Sequence, residues 1–171
     1  MGFGSIISAM VSVAAILLAS YVCSKGGFYM TDVLADSVME MQDNKNEMLK
    51  TEIEITNITT DGVDILVSLN NTGSVKIGDF AYMDVIVRYC NASGTTKTFW
   101  VPYLEGNDPA TNRWIVKDIN PDLVNPDILD PDEEMELQIR LSAEDSLESS
   151  STNWLQVTAP NGVTDSGYFK G

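Results

Sequence analysis

The chain has 171 residues, of which 25 are acidic and ten are basic, so its net charge is −15. So acidic a protein is expected to avoid nucleic acid and anionic headgroups, and no cluster of Lys or Arg argues otherwise. Histidine is absent, which excludes His-based catalytic triads, His metal ligands and the commonest general base.

The first 24 residues contain no charged side chain and no proline. Residues 3–23 are long enough, at about 1.5 Å per residue, to cross a hydrocarbon core of roughly 30 Å as a helix. No basic residue precedes this long apolar run, which favours a retained anchor over a cleaved secretory signal. The expected membrane-facing or assembly residues are Phe3, Ile6, Ile7, Val11, Ala14, Ala15, Leu18 and Val22.

Helical patterning resumes after Gly26-Gly27, where a weak point or bend is predicted. Leu34, Val38, Met41 and Met48 follow a spacing of three to four residues, which predicts an amphipathic helix to about Leu49. The stripe would pack either against the protein's own head or against neighbouring helices. The N-terminal domain is therefore predicted to be a helical rod over residues 1–50.

From Thr51 the hydrophobic period changes to two, which predicts short strands separated by turns. Seven or eight such strands with no helices between them indicate an antiparallel β-sandwich over residues 51–171, and hence an α+β fold. The predicted strands cover residues 51–57, 63–69, 82–89, 97–103, 113–117, 135–141, 154–157 and the segment around 168–169, with turns at 57–62, 70–73, 91–94 and 161–162.

Three sequons begin at Asn57, Asn70 and Asn91, each at a predicted turn. A glycan there would not disturb the core, and its presence would place the head outside the cell. The alternative is that these asparagines serve only as turn residues. The two cysteines, Cys23 and Cys90, are expected to be unpaired thiols, because a disulfide between stem and head is geometrically doubtful.

One loop gathers carboxylates that a hard cation would accept, and calcium at Asp127, Asp130 and Asp132 is one reading. No EF-hand spacing is present, so a solvated acidic loop is favoured and no cofactor is expected. The full set is Asp118, Asp122, Asp127, Asp130, Asp132 and Glu133.

Three tryptophans, Trp100, Trp114 and Trp154, fall in predicted strands. Core or edge packing is the default expectation, and a sugar-stacking platform is the alternative. The sequence contains no nucleophile elbow, P-loop, zinc spacing or dinucleotide fingerprint, so we do not expect an enzyme.

Five phrases of the chain carry a family resemblance: residues 1–4, 53–57, 65–74, 129–133 and 157–163. The Met1-Gly2-Phe3-Gly4 start of the apolar helix is similar to an archaeal type IV pilin-like N-terminus. The other four phrases resemble archaeal flagellin-like proteins. The resemblance is to the FlaF/FlaG class of archaellum proteins, with archaellin as its sibling.

This resemblance implies an N-terminal hydrophobic helix that carries an immunoglobulin-like sandwich. For the stator class it implies a membrane-anchored protein whose extracellular head binds the S-layer or envelope. For archaellins it implies copies of the chain polymerising into an extracellular filament. Only Met1 precedes Gly2, and no acidic residue lies early in the stem, which favours the uncleaved anchored protein. A surface enzyme or sugar-binding receptor is the third hypothesis.

Overall fold

The computed structural model describes residues 2–171, and within them the chain forms one long helix, α1 (Phe3–Lys50), followed by eight strands. It divides into two compact units, the first ending at Lys45 and the second spanning Asn46–Gly171. The predicted domain boundary at residue 50 falls in the second unit, at the end of α1. The strands are β1 (Ile53–Thr60), β2 (Asp64–Asn71), β3 (Asp84–Cys90), β4 (Thr96–Val101), β5 (Arg113–Asn120), β6 (Glu134–Arg140), β7 (Thr152–Thr158) and β8 (Thr164–Lys170).

The apolar part of α1 satisfies its own polar groups. The hydroxyls of Ser8, Ser12 and Ser20 donate to the carbonyls of Gly4, Ser8 and Ile16 at 2.9–3.0 Å. The Ser5 hydroxyl donates to the Gly2 carbonyl at 2.9 Å, so every serine hydroxyl within residues 3–23 has a partner, as a helix in lipid requires. The helix is continuous through Gly26 and Gly27, so the weak point predicted there does not interrupt it. A cost of about 1 kcal/mol per glycine is small enough for the helix to continue.

The second unit contains two antiparallel four-stranded sheets, ordered β1-β2-β6-β5 and β4-β3-β7-β8. Alternate residues of the central strands are fully buried between them, as a period of two dictates. The predicted α+β fold is thus confirmed. Central members of the core are Ile65, Val67, Leu69, Val85, Val87, Met135, Leu137, Ile139, Leu155 and Val157.

The first hairpin differs from its predicted form. β1 continues to Thr60 past a register shift between Ile55 and Asn57, so the turn predicted over residues 57–62 begins too early. The actual turn centres on Asp61-Gly62. There Gly62 adopts a φ of 99°, and the Asp61 carboxylate accepts hydrogen bonds from the amides of Val63 and Asp64 at 3.0 and 2.8 Å. This Asx-type turn ends strand β1.

The sheet edges are partly covered. Where β1 meets β8, the Ile55 amide donates to the Asp165 carboxylate at 2.7 Å. At the start of β5, Trp114 exchanges backbone hydrogen bonds with Pro102 and Leu104 at 3.2 and 2.8 Å. Covered edges reduce unintended strand pairing and leave the two outer sheet faces as the broad surfaces of the head.

Candidate interaction surfaces

The apolar stem is exposed along its whole length. None of the side chains of α1 is buried, and this includes the predicted membrane or assembly residues Phe3, Ile6, Ile7, Val11, Ala14, Ala15, Leu18 and Val22. Within residues 2–171, α1 is the one helix long and apolar enough to cross a membrane. Such a surface is stable in lipid or against other helices, because water solvates it poorly.

The second half of α1 also presents large apolar side chains. Phe28, Met30 and Leu34 are 72, 76 and 65% exposed. The predicted stripe of Leu34, Val38, Met41 and Met48 is likewise exposed. At about 1.5 Å per residue, α1 is roughly 72 Å long, well over the roughly 30 Å that a hydrocarbon core occupies. A membrane alone therefore does not account for all of its apolar surface.

A tight junction joins the last helical turn to β1, within the second unit. The Ser74 amide donates to the Lys50 carbonyl at 2.7 Å, and the Thr72 and Gly73 amides donate to the Glu52 carbonyl at 3.0 Å. A Cβ on Gly73 would lie 2.5 Å from the Glu52 amide nitrogen and 2.6 Å from the Lys50 carbonyl oxygen. Glycine is required at this position by close backbone approach, a role the sequence pattern alone does not reveal.

Two side-chain hydrogen bonds also hold this junction. The Asn161 side-chain amide donates to Thr51 Oγ1 at 2.7 Å, and Thr51 Oγ1 donates to the Glu47 carbonyl at 2.9 Å. Thr51 is 6% exposed. The Lys50 carbonyl, which has no partner inside the helix, is therefore held by the loop that contains Ser74. The loop that contains Asn161 holds Thr51, the residue that follows the helix.

We call the outer surface of the β4-β3-β7-β8 sheet the aromatic face and define it by Ile86, Arg88, Trp100, Trp154 and Tyr168. Trp100 and Tyr168 are 55 and 77% exposed. The register places Arg88 beside Trp154, and Trp154 beside Tyr168. Sequence analysis expected tryptophans in strands, which is confirmed. It did not place Trp100 and Trp154 on one surface with Tyr168, since that depends on strand pairing.

The outward residues of this sheet include the charged side chains Asp84, Arg88 and Lys170. Its carboxylate Asp84 accepts a hydrogen bond from Trp100 Nε1 at 2.8 Å. Arg88 is exposed and forms no ion pair with any of residues 2–171. Trp114, by contrast, is fully buried in the core against Tyr103, with ring centroids 4.7 Å apart. Trp114 therefore belongs to the core, whereas Trp100 and Trp154 belong to the outer face.

We call the outer surface of the β1-β2-β6-β5 sheet the carboxylate face and define it by Glu54, Asp118, Glu134 and Glu136. The basic side chains Arg113, Lys117 and Arg140 lie on the same surface. Glu54 and Glu134 flank Asn70 across the ladder, and Asp118 lies opposite Glu136. Lys117 pairs with Glu136 at 2.7 Å. Within the described chain Glu54, Asp118 and Glu134 have no ion-pair partner.

The three sequon asparagines lie in different surroundings. Asn57 is exposed on β1, and Asn70 is half-buried on β2. Asn91 is 4% exposed; its Oδ1 accepts hydrogen bonds from Ser93 and Thr95 at 2.7 and 2.9 Å. Glycosylation at these positions stays a prediction. In the folded head, Asn57 is the sequon asparagine whose amide is most accessible to an enzyme.

The acidic loop is organised by hydrogen bonds between its own residues. Asp130 is 7% exposed, and its carboxylate accepts hydrogen bonds from the backbone and side-chain amides of Asn125 at 2.9–3.1 Å. Asp127 and Asp132 have φ angles of 63° and 65°. Among the described residues no three His, Cys, Asp or Glu side chains are grouped to hold a metal ion. Calcium at Asp127, Asp130 and Asp132 remains an untested prediction.

Both cysteines are free thiols, as predicted. Cys90 Sγ donates a hydrogen bond to Glu148 Oε2 at 3.0 Å. That bond raises the pKa of the thiol, and desolvation adds to the rise. A protonated thiol is a poor nucleophile, so Cys90 is not suited to catalysis.

Comparison with known proteins places these features in a family. The family model for archaeal-type flagellin matches residues 2–169. The chain belongs to the archaeal-type flagellin family. The resemblance noted in the sequence is thereby confirmed. An uncharacterized protein of Archaeoglobus fulgidus is 27% identical over 171 residues, which span 99% of this chain and 96% of that one.

Two solved archaellum structures are similar to this family member. The archaellum periplasmic stator protein FlaG from Sulfolobus acidocaldarius matches 70% of this chain and 99% of its own, with 25% identity and a TM-score of 0.50. The archaeal flagellum of Methanospirillum hungatei strain JF1 matches 99% of this chain and 93% of its own, with 12% identity and a TM-score of 0.54. The second likeness concerns the fold alone.

Proposed function

We propose that this archaeal-type flagellin is a structural archaellum protein of the stator type. Residues 3–23 of α1 anchor it in the membrane, and its sandwich stands outside, in the archaeal pseudoperiplasm or at the cell surface. There the head binds the S-layer or other envelope or archaellum components. The work is mechanical and requires no catalytic group or cofactor.

The observation that carries this proposal is the uncharged, fully exposed stem on an otherwise acidic protein. Burying about 20 mostly apolar residues in lipid anchors a protein effectively permanently. The net charge of −15 keeps the remainder soluble and away from anionic headgroups. The similarity to a protein described as a periplasmic stator supports the outward placement of the head.

A stator must transmit force between anchor and head, and the junction suits that task. Four hydrogen bonds from two separate loops hold the segment that joins α1 to β1, and their donors are Thr72, Gly73, Ser74 and Asn161. Tension along the chain is then shared among several bonds before it reaches β1. The antiparallel pairing of β1 with β2 spreads the load further into the sheet.

Membrane fractionation tests the anchor. The full-length chain is expected in the membrane pellet after a carbonate wash and in the soluble fraction only with detergent. Val13→Arg, at the middle of residues 3–23, should release part of the protein, because an arginine at a helix centre costs about 2.5–3.5 kcal/mol on insertion scales. Lys76→Glu on the head is the control and should leave the distribution unchanged. Recovery of the intact wild-type chain in the soluble fraction would contradict the proposal.

The exposed apolar side chains of residues 28–49 favour a second candidate, a subunit polymerising into an extracellular filament. In a filament the small stem residues Gly4, Ser8 and Ala15 would let neighbouring helices approach closely, and the Met-rich second half would also be covered. Electron microscopy of purified protein separates the two. Fibres with a helical core support the filament, whereas discrete membrane-associated particles support the stator.

Intact-mass spectrometry also distinguishes an anchored stator from a filament subunit. An unprocessed chain starting at Met1 supports the anchored stator, and a chain cleaved after Gly2 supports the filament. The same spectrum reports any mass added at Asn57, Asn70 or Asn91.

A further inference from the structure

The aromatic face differs in charge from the head as a whole. Residues 51–171 include 20 acidic and seven basic side chains, a net charge of −13. The outward positions of the β4-β3-β7-β8 sheet carry one acidic side chain, Asp84, and two basic ones, Arg88 and Lys170. Neither basic side chain forms an ion pair with any of residues 2–171. An anionic ligand is therefore repelled by the head as a whole but meets two unpaired cations on this face.

Strand register places rings and polar groups of the aromatic face in two neighbouring rows. Across the four strands one row consists of Thr98, Arg88, Trp154 and Tyr168, and the next consists of Trp100, Ile86, Gln156 and Ser166. Trp154 and Tyr168 are directly opposite each other, which puts their Cβ atoms about 5 Å apart. Trp100 lies two strands and two residues from Trp154, a separation of about 12 Å at ordinary sheet spacings. Each row thus combines aromatic rings with groups that form hydrogen bonds.

We propose that the aromatic face binds an acidic glycan, a chain of sugars that bear carboxylates. Trp100, Trp154 and Tyr168 would pack against the C–H faces of the sugar rings. Arg88 would bind a sugar carboxylate, for which a guanidinium is well suited. Rings spread over about 12 Å fit a short oligosaccharide better than a single sugar. The inference rests on the proposed function for the outward placement of the head, and it names the class of envelope component that the head binds.

The chemistry of the face favours a sugar over a protein partner. The buried centre of a protein interface is enriched in apolar side chains, whereas Ile86 is the one aliphatic side chain among the outward residues of these four strands. The aromatic rings have amide and hydroxyl groups beside them, such as those of Gln156 and Ser166. A sugar ring has apolar C–H faces and a rim of hydroxyls, so it matches both kinds of group.

Parts of the face are ordered before a ligand arrives. Trp100 Nε1 donates to Asp84 Oδ1 at 2.8 Å, which holds the indole and engages the one carboxylate among the outward residues. Gln156 Nε2 donates to Thr158 Oγ1 at 3.3 Å, which leaves Gln156 Oε1 to accept from a sugar hydroxyl. Side chains that are already held lose less conformational entropy when a ligand packs against them.

Titration with defined probes tests the proposal. The full-length chain in detergent is titrated with oligogalacturonate, with a neutral malto-oligosaccharide of the same length, and with oligoglutamate of the same charge. Calorimetry and tryptophan fluorescence report binding. Oligogalacturonate should bind with a Kd of about 1 mM or lower. The neutral sugar lacks a carboxylate for Arg88 and the peptide lacks sugar rings, so each should bind about tenfold more weakly or less.

Substitutions on the face have matched controls outside it. Arg88→Gln should weaken oligogalacturonate binding by about tenfold and leave the binding of the neutral sugar unchanged. Tyr168→Ala and Trp154→Ala should each weaken oligogalacturonate binding by about fivefold or more. Tyr82→Ala removes a ring that is 75% exposed, and Lys76→Gln makes the same charge change as Arg88→Gln at an exposed loop position. Neither control should change binding.

Four results would overturn the proposal. The wild-type chain could fail to bind oligogalacturonate at about 10 mM, or Arg88→Gln could leave that binding intact. Oligoglutamate could bind as tightly as oligogalacturonate, which would show that charge alone attracts the ligand. Tyr82→Ala could weaken binding as much as Tyr168→Ala does.

Circular dichroism confirms that each variant is folded, and Tyr168, which is 77% exposed, is the ring whose removal disturbs the fold least. The titration in detergent does not depend on the anchor. Recovery of the wild-type chain in the soluble fraction would contradict the stator role without altering the glycan result, and a failed titration would leave the anchor in place.

Discussion

Apolar side chains are buried in the head and exposed in the stem. In the head, Leu137 and its neighbours are fully buried between two sheets. In the stem, Leu18 is 68% exposed and no side chain of α1 is buried. The head therefore contains its own source of stability, whereas the stem requires an environment supplied from outside the chain. A leucine in the head thus stabilises the fold, whereas a leucine in the stem indicates that the stem lies in lipid or against other helices.

The largest effect should come from a matched pair of leucine truncations. Leu137→Ala removes buried methyl groups and leaves a cavity, so the free energy of unfolding of the head should fall by about 2–5 kcal/mol. Leu18→Ala should leave that free energy unchanged. Denaturant unfolding followed by tryptophan fluorescence in detergent measures both. Equal losses in the two variants would show that the stem contributes to the head's stability and would break the comparison.

A pair of glycine substitutions should show smaller effects of opposite sign. Gly73→Ala forces backbone atoms of Lys50 and Glu52 apart and should destabilise the head by about 1–3 kcal/mol. Gly26→Ala meets no atom within 4 Å and should stabilise the helix by about 1 kcal/mol. Thermal unfolding reports the first change, and helical circular dichroism of the chain in detergent reports the second. A neutral Gly73→Ala would mean that the junction tolerates movement, which would weaken its role in carrying load.

The smallest effect concerns an ion pair on the head. Arg140 donates to both oxygens of Asp64 at 2.8 and 2.9 Å, and Gln138 adds a third bond at 2.8 Å. These bonds hold the pKa of Asp64 below its ordinary value, with the Arg140 hydrogen bond as the main cause. The stabilisation is therefore complete above the ordinary pKa of an aspartate and is lost as the pH falls through the lower folded pKa.

Asp64→Asn should accordingly destabilise the head by about 1–2 kcal/mol at pH 7, since hydrogen bonds to charged groups are the stronger kind. The difference from wild type should shrink in strong acid, where the wild-type carboxylate is protonated. Urea unfolding at pH 7 and near pH 2 measures both. Glu105→Gln, which neutralises an exposed carboxylate outside any ion pair in the described chain, should change stability by less than about 0.5 kcal/mol. A difference that persists in acid would argue against the ion pair as its source.

Sequence patterns predicted the strands well where burial alternates cleanly. Residues 63–69 and 135–141 were expected as strands, and they pair with each other as β2 and β6. The first turn was misplaced because Asn57 to Thr60 carry turn-forming residue types, whereas pairing with β2 keeps them extended. Gly26 and Gly27 similarly suggest a weak point, and the helix continues through both. Local propensity is a weak preference, and tertiary pairing decides against it in the first case.

The surfaces were harder to predict than the fold. Trp100, Trp154 and Tyr168 are separated by up to 68 positions in the sequence, and they meet only because β4, β3, β7 and β8 pair in that order. The role of Gly73 likewise depends on the approach of a loop to the end of α1. No local pattern encodes either arrangement, because each depends on the register between distant segments.

The order of residues by itself determined that this protein has an apolar stem and an acidic β-rich head. An uncharged run of 21 residues predicts the stem, and the change of hydrophobic period from 3.6 to two predicts the strands of the head. Only the tertiary structure decided which charges and rings share a face and which backbone atoms close the junction. The physical reason is that side-chain periodicity is a property of a single segment, whereas an interaction surface is made by several segments brought together through strand order and register.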